Sequence, residues 1–365
     1  MPDGLTWETA TTTDIGADFG SLNGRLRFSG DYYIRKTTDM YTVGETLPDV
    51  FGASSPKGNY ADMTTRGWEI TLTWRDQFQL ASKPFNYEIR GTLSDYISTI
   101  DRYNNKDGKL SDYYAGQRVG EIWGYVTEGL FQSQEEIDNH ADQTLIQSSS
   151  QHVTYPGDVK IKDLNGDGVI DYGNNTLSDH GDKTVIGNSL PRFSYSLNLS
   201  GDWNNFFVSA FFQGVGKQDW YPSSECIFWG QYNRPYNNLP EWHLGNYWTE
   251  DNTDAYLPRY AGYNSSLKST TQTRYLQNVA YIRLKNLQFG YTLPQEIVSK
   301  AKMQNARIYI SAENLWCWSP LYKHTRDLDV TNIYGSDPDL TDGGSGDGQS
   351  YPQMKSISLG VSVTF

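Results

Sequence analysis

The densest run of oxygen-bearing side chains in this 365-residue sequence is Asp163-Leu-Asn165-Gly-Asp167-Gly168-Val169-Ile-Asp171. Side-chain oxygens fall at the first, third, fifth and ninth positions of a calcium-type loop. Gly168 holds the sixth, where the chain must turn sharply, and Val169 at the seventh would offer its backbone carbonyl. A hard cation such as Ca2+ is held by such a crowd of oxygens because together they replace its hydration shell. The twelfth position is Asn174 rather than a bidentate Glu, so the expected Ca2+ site is structural, with Asp182 as the candidate for its last ligand. The alternative is an Asp/Asn/Gly-rich turn with no metal. The surrounding segment 99–191 carries 15 acidic and 7 basic residues, a repulsion that a bound cation would relieve.

A second cluster is aromatic. Segment 215–274 interleaves Trp and Tyr with Asn, Asp, Gln and Arg, and Trp220, Trp229, Tyr232, Trp242 and Trp248 are its candidates for facing a ligand. Sugar rings stack their C–H faces on aromatic planes and hydrogen-bond sideways to amides and carboxylates, so the composition suits a carbohydrate surface. The competing reading, expected for most of these rings, is that they pack the loops onto one another. Catalytic chemistry has no comparable signal. The five His (His140, His152, His180, His243, His324) fall in no metal or triad spacing. Nucleophile elbow, phosphate loop and dinucleotide fingerprint are all missing. No catalytic residue is assigned, and the chain is not expected to be an enzyme. Cys226 and Cys317 are too few for a disulfide scaffold.

The elements that must carry these loops are strands. Period-2 alternation dominates, with Phe193, Tyr195, Leu197 and Leu199 opposite Ser194, Ser196, Asn198 and Ser200 as one example. It predicts nine strands, at 11–19, 24–36, 67–75, 85–96, 192–200, 205–214, 275–292, 306–315 and 356–365. Parity changes between Leu284 and Leu287, which predicts a bulge near Lys285-Asn286. The intervening connections alternate short and long: 20–23, 37–62, 76–83, 99–191, 201–204, 215–274, 293–305 and 316–355. Successive antiparallel strands put successive connections at opposite ends, so one end has turns and the other has large loops. That is the plan of an outer-membrane barrel. A soluble β-sandwich would also alternate. The aromatic-rich apolar faces, the charged residues in mid-strand and the terminal Phe365 favour the barrel. The apolar set, including Leu26, Phe28, Ile34, Ile70 and Leu72, is expected to face lipid, and Arg25, Arg27, Glu69, Glu88 and Arg90 to face the lumen.

Composition excludes other classes. A formal net charge of -13 lacks the basic patch that phosphate backbones need, so nucleic acid is not an expected partner. Aromatic residues make up 14% of the chain, against the composition of disordered segments. No stretch is long and apolar enough for a transmembrane helix, which leaves a membrane β-barrel open. The first fourteen residues show neither a basic n-region nor an apolar h-region, so no signal peptide is expected in them.

A set of short motifs in fixed order resembles the C-terminal part of SusC-like TonB-dependent transporters (RagA/SusC type) of the Bacteroidetes outer membrane. The motifs are Gly124-Tyr125 with Glu128-Gly-Leu-Phe131, Pro156-Gly-Asp-Val-Lys160, the Asp163–Asp171 run, and Val185-Ile-Gly-Asn188. Beyond them come Tyr281-Ile-Arg-Leu-Lys-Asn286, Gly290-Tyr-Thr-Leu-Pro294, Asn314-Leu315, Asp337-Pro338 and the terminal Phe365. The resemblance implies an all-β fold: an antiparallel transmembrane β-barrel sector, about nine C-terminal strands of a 22-stranded barrel with long extracellular loops. It implies one such portion over residues 1–365, with 99–191 as an extracellular loop and with the plug and roughly thirteen strands lying outside the sequence. It also implies TonB-dependent import of oligosaccharides or, in some members, peptides. The implied partners are a SusD-like surface lipoprotein as lid, the TonB-ExbB-ExbD complex acting through the N-terminal part, and outer-membrane lipid. Residues Tyr172–Ser178 separate Asp171 from Asp182, which leaves the last calcium ligand open. A rival of another class is a secreted calcium-dependent carbohydrate-binding β-domain.

Overall fold

The computed structural model describes residues 5–44, 50, 52, 55–146, 153–223, 226–232, 237–260, 270–333 and 352–365. Its strands are β1 (Thr9–Ser21), β2 (Leu26–Val43), β3 (Lys57–Leu80), β4 (Lys83–Arg102), β5 (Glu121–Tyr125), β6 (Thr127–Leu130), β7 (Val159–Ile161) and β8 (Lys183–Asn188). They continue as β9 (Arg192–Trp203), β10 (Phe206–Lys217), β11 (Asp219–Trp220), β12 (Gln277–Asn278), β13 (Tyr281–Thr292), β14 (Asn305–Trp318) and β15 (Ser356–Thr364). Nine of them form one sheet in the order β1-β2-β3-β4-β9-β10-β13-β14-β15, and the other six make three two-stranded pairs within the loops. All nine expected strands are present, and every pairing in the large sheet is antiparallel.

The register gives the sheet two chemically distinct faces. Directly opposed residues share a face, and one apolar row runs Phe19, Phe28, Leu72 and Gly91 to Leu197 and Phe212. It continues through Leu284 to Trp316. The rows on either side repeat the pattern, as in Leu287–Ala312–Ile357. The opposite face carries Asp31 against Glu69, Thr73 against Arg90, and Arg75 ion-paired to Glu88. The apolar face is uncovered: Leu72 is 47% exposed, Ile310 50% and Phe289 52%. Neither hydrophobic core cluster draws a buried residue from the nine-stranded sheet, so this is not one half of a sandwich. A row of Leu, Ile and Phe left open on one side of a charged sheet has lipid as its solvent.

Several boundaries differ from the sequence reading. The connection expected at 37–62 shrinks, because β2 runs on to Val43 and β3 starts at Lys57. A bulge in β2 explains the miss. Asp39 takes φ 55, and the register shifts between Thr37 and Met40, so parity breaks where the alternation was being followed. β3 spans 24 residues, whereas about 9–11 tilted residues cross the hydrocarbon. The excess stands in water and has no reason to alternate. The stretch 275–280 belongs to the loops, where Gln277 and Asn278 pair with β11. Asn204 and Asn205, at φ 49 and 70, make the two-residue turn placed at 201–204 from sequence. Ala81 and Ser82 turn in the same way between β3 and β4, at φ 48 and 61. The bulge near Lys285 is present: Leu284 and Asn286 flank the shift in both flanking ladders, leaving Lys285 unopposed. No helix among the described residues is long and apolar enough to cross a membrane.

The hydrophobic core lies in the long loops. Trp220, Phe228, Trp229, Tyr232, Leu257 and Tyr275 pack with Leu321, Leu328, Val330 and Ile333, so the connections 218–280 and 319–355 share one interior. Tyr125, Ile161 and Ile170 form a smaller cluster within 103–191. Backbone hydrogen bonds join these layers, with Tyr125 N–H donating to Thr271 O at 2.9 Å and Thr273 N–H to Tyr125 O at 3.0 Å. Gly124 has to be glycine at this seam, since a Cβ there would lie 2.6 Å from the Thr271 carbonyl oxygen. Motif residues Asp337 and Pro338 lie outside the described residues.

Candidate functional site

The Asp163–Asp171 run folds into successive turns through Gly166 and Gly168, at φ 76 and 87. Asp163 accepts from Gly166 N–H at 2.6 Å with one oxygen and from Gly168 N–H at 2.9 Å with the other. These bonds, with that from Gly168 foremost, hold its carboxyl below the usual carboxylate range. Asn165 accepts from Asp167 N–H at 3.0 Å, and Asp167 from Val169 N–H at 2.8 Å. Asp171 lies at the exit, accepting from Gly173 N–H at 2.8 Å. The donor set is all oxygen and chemically suits a hard cation, because each oxygen keeps a second lone pair beside the N–H it accepts. Among the described residues, no three His, Cys, Asp or Glu side chains converge as a metal-ligating group.

Asp182, the candidate for the last ligand, lies against the same run. It is fully buried, and its two oxygens accept from Leu164 N–H at 2.7 Å and Asp171 N–H at 2.9 Å. It clasps the two ends of the turn together. Lys183 beside it lies over the rings of Tyr125 and Tyr172, at 5.9 and 5.5 Å, and burial lowers its pKa.

The aromatic candidates divide by burial. Trp220, Trp229 and Tyr232 are interior, so the expectation that they face a ligand is corrected: they form the core that a loop of this size needs. Trp229 satisfies its indole N–H on Ser223 O at 3.0 Å, and Tyr232 its hydroxyl on Pro258 O at 2.8 Å. Trp242 packs edge-on against His243, with centroids 4.2 Å apart, at the margin of this core. Trp248 reaches the surface and donates to Gln132 Oε1 at 3.1 Å. The short helix Gln134–Asp138 beside it is capped by Ser133, whose side chain accepts from Glu136 N–H.

A patch that the spacing did not reveal adjoins Trp248. Asp158 accepts from Arg259 Nε at 2.7 Å and from Tyr155 N–H at 2.9 Å. Burial raises its pKa, opposed by the guanidinium. The Arg259 guanidinium lies 4.4 Å from the Tyr155 ring centroid. At Gly157 (φ 89) a Cβ would strike the Trp248 ring and Arg259. The available signal was Pro156-Gly157-Asp158, but its partner Arg259 is a hundred residues away in sequence. A second missed group is the buried pair Arg283–Asp329 at 2.5 Å, which with Gln353 ties the last loop to the wall.

An antiparallel sheet with one uncovered apolar face, one charged face, turns at one end and packed loops at the other is the wall of an outer-membrane β-barrel. No protein-family model matches the chain. It is 26% identical to TonB-dependent receptor P3 of Formosa agariphila over 100% of the chain and 35% of that relative. The TonB-dependent receptor SusC of Bacteroides thetaiotaomicron is 22% identical, again over 100% of the chain and over 32% of the relative. The chain thus spans about a third of the length of these relatives. Its fold superposes on a structure of the RagAB peptide transporter with a TM-score of 0.67 and 20% identity, covering 99% of this chain and 36% of that one. In sequence and in fold the chain is thus similar, along its whole length, to a barrel part of SusC-like TonB-dependent receptors.

Proposed function

We propose that this chain is part of the wall and external loop layer of a TonB-dependent importer that takes up oligosaccharides beneath a SusD-like lipoprotein lid. The observation that carries the reading is the end-to-end match to TonB-dependent receptors on a sheet whose apolar face has no protein cover. Energy would come from the TonB-ExbB-ExbD complex, and this chain would contribute no catalytic group. The cargo contacts we assign are Trp248, Gln132, Tyr155 and Arg259, where aromatic faces stand beside amide and guanidinium donors. Peptide cargo is the second reading, favoured by the fold shared with the RagAB peptide transporter. Growth of a strain lacking the gene, on defined glycans or on peptides as sole carbon source, separates the two. Loss on a glycan alone supports the first and loss on peptides alone the second. Undiminished growth on both overturns import. A water-soluble product in cell fractionation would instead favour the secreted carbohydrate-binding domain.

We further propose that Asp163, Asn165, Asp167, Asp171 and the Val169 carbonyl hold one Ca2+, with Asp182 clasping the loop. Its role would be to fix the segment before β9, since no nucleophile stands beside it. Calorimetric titration of the full transporter with CaCl2 tests this. Equal heats from wild type and an Asp163→Ala/Asp167→Ala variant would reduce the motif to a turn.

A further inference from the structure

The lipid-facing surface is not uniform. Near its short-turn end the apolar face carries two groups of rings on either side of a gap. On one side Phe78 and Phe85 stand 5.0 Å apart with Tyr87 beyond them. On the other, Phe206 stacks on Phe289 at 5.9 Å and leans on Tyr291 at 4.7 Å. Between them β9 contributes Gly201, directly opposite Tyr87 on one side and Val208 on the other. Because Gly201 has no side chain, the rings border a trough at its level, and the trough ends below on Trp203, two residues on in β9 and directly opposite Phe85 and Phe206. Two adjoining hollows of about 440 and 350 Å3 share Phe85, Gly201 and Val208. A Cβ at Gly201 would meet the Phe85 ring at 3.1 Å.

Beyond Trp203, whose indole N–H donates to Leu80 O at 2.9 Å, the turn end carries a cation. Lys83 shares the face of Phe85, two residues earlier in β4, about 7 Å along the strand. It is exposed and bonds to the Asn204 side chain of the neighbouring turn. An apolar slot bordered by interfacial aromatic rings, with an ammonium one pleat beyond its lower end, matches a molecule with an acyl chain and an anionic head.

We propose that this trough is a binding site for one glycerophospholipid of the periplasmic leaflet. An acyl chain would lie over Gly201 and Val208 between the ring groups, and the phosphate would meet Lys83. The charge at the turn end selects a phospholipid over an uncharged lipid, and the missing side chain at Gly201 makes the room.

The test uses the complete transporter that carries this chain, extracted in mild detergent and weighed by native mass spectrometry. Wild type should retain one phospholipid mass, and Gly201→Leu should lose it. Lys83→Gln should lower the retained fraction at least tenfold. Leu359→Ala, on the same face but outside the trough, should retain it like wild type. Heat-dependent gel migration checks that each variant is folded, and Gly201→Ala replaces the Leu variant if that one fails to fold. The proposal is overturned if wild type retains no phospholipid, if all variants retain it equally, if Leu359→Ala loses it as well, or if the retained mass is lipopolysaccharide.

Discussion

At the scale of single residues, Asp182 and His243 set the most exposed expectations. Asp182 takes two backbone N–H groups from opposite ends of the Asp163–Asp171 turn. Asp182→Ala leaves both of these part-buried N–H groups without their acceptor, at about 1 kcal/mol each. Limited proteolysis should cut within 160–183 sooner than in wild type, while barrel assembly stays intact. Assembly failing together with the loop would contradict the assignment. His243 is buried, and its Nε2–H donates to Phe228 O at 3.0 Å while Nδ1 has no partner among the described residues. Burial lowers its pKa from 6.5 to about 4. A histidine kept neutral by folding contributes stability that is complete above the unfolded value of 6.5. That contribution is lost as pH falls toward about 4, on the order of 3 kcal/mol in all. Tryptophan emission from the loop core should therefore shift between pH 6.5 and 4, and His243→Phe should flatten that change. The oxygen ladder of the turn was legible because its ligands are consecutive in sequence. The clasp was not, because a carboxylate that accepts N–H groups and one that binds metal have the same sequence signature.

At the scale of elements, alternation located all nine wall strands, since every one has an apolar face in lipid and a polar face in the lumen. It lost the ends of β2 and β3, where both faces meet water and a bulge at Asp39 resets parity. The bulge at Lys285 was readable because apolar residues resume on both sides of it. Deleting Lys285 should remove the bulge and leave Leu287, Phe289 and Tyr291 on the lipid face opposite the same β10 partners, so the folded, heat-modifiable form should persist. Loss of that form would contradict the assignment of Lys285 as the extra residue. Arginine at Leu197 should cost about 2–4 kcal/mol if it lies near the bilayer midplane, whereas arginine at Ser196 on the other face should cost far less. Folding yield into lipid vesicles at rising urea compares the two.

At the scale of the whole molecule, the loops form a layer with its own core above a wall that has none. Sequence composition placed the aromatic residues in the right segment but could not separate core from surface. Burial in loops is set by contacts such as Trp229–Tyr275, which join distant segments. β1 and β15 are edge strands, and unpaired backbone groups cannot be left in lipid. Residues 1–365 by themselves should therefore give no single-channel conductance in planar bilayers, and steady conductance would refute this.

The count of nine carries a rule for whatever stands between those two edges. β1 descends into the turn before β2, and β15 descends from the loop after β14, so both edges point the same way. Joining them directly, or joining the outer edges of two copies side by side in one membrane, would require a parallel seam. An antiparallel cylinder can close only through an odd number of further strands, because each added strand reverses direction. Strand exchange between related transporters should accordingly succeed with replacement segments that keep this oddness. It should fail whenever a single strand is gained or lost, however well the sequences match.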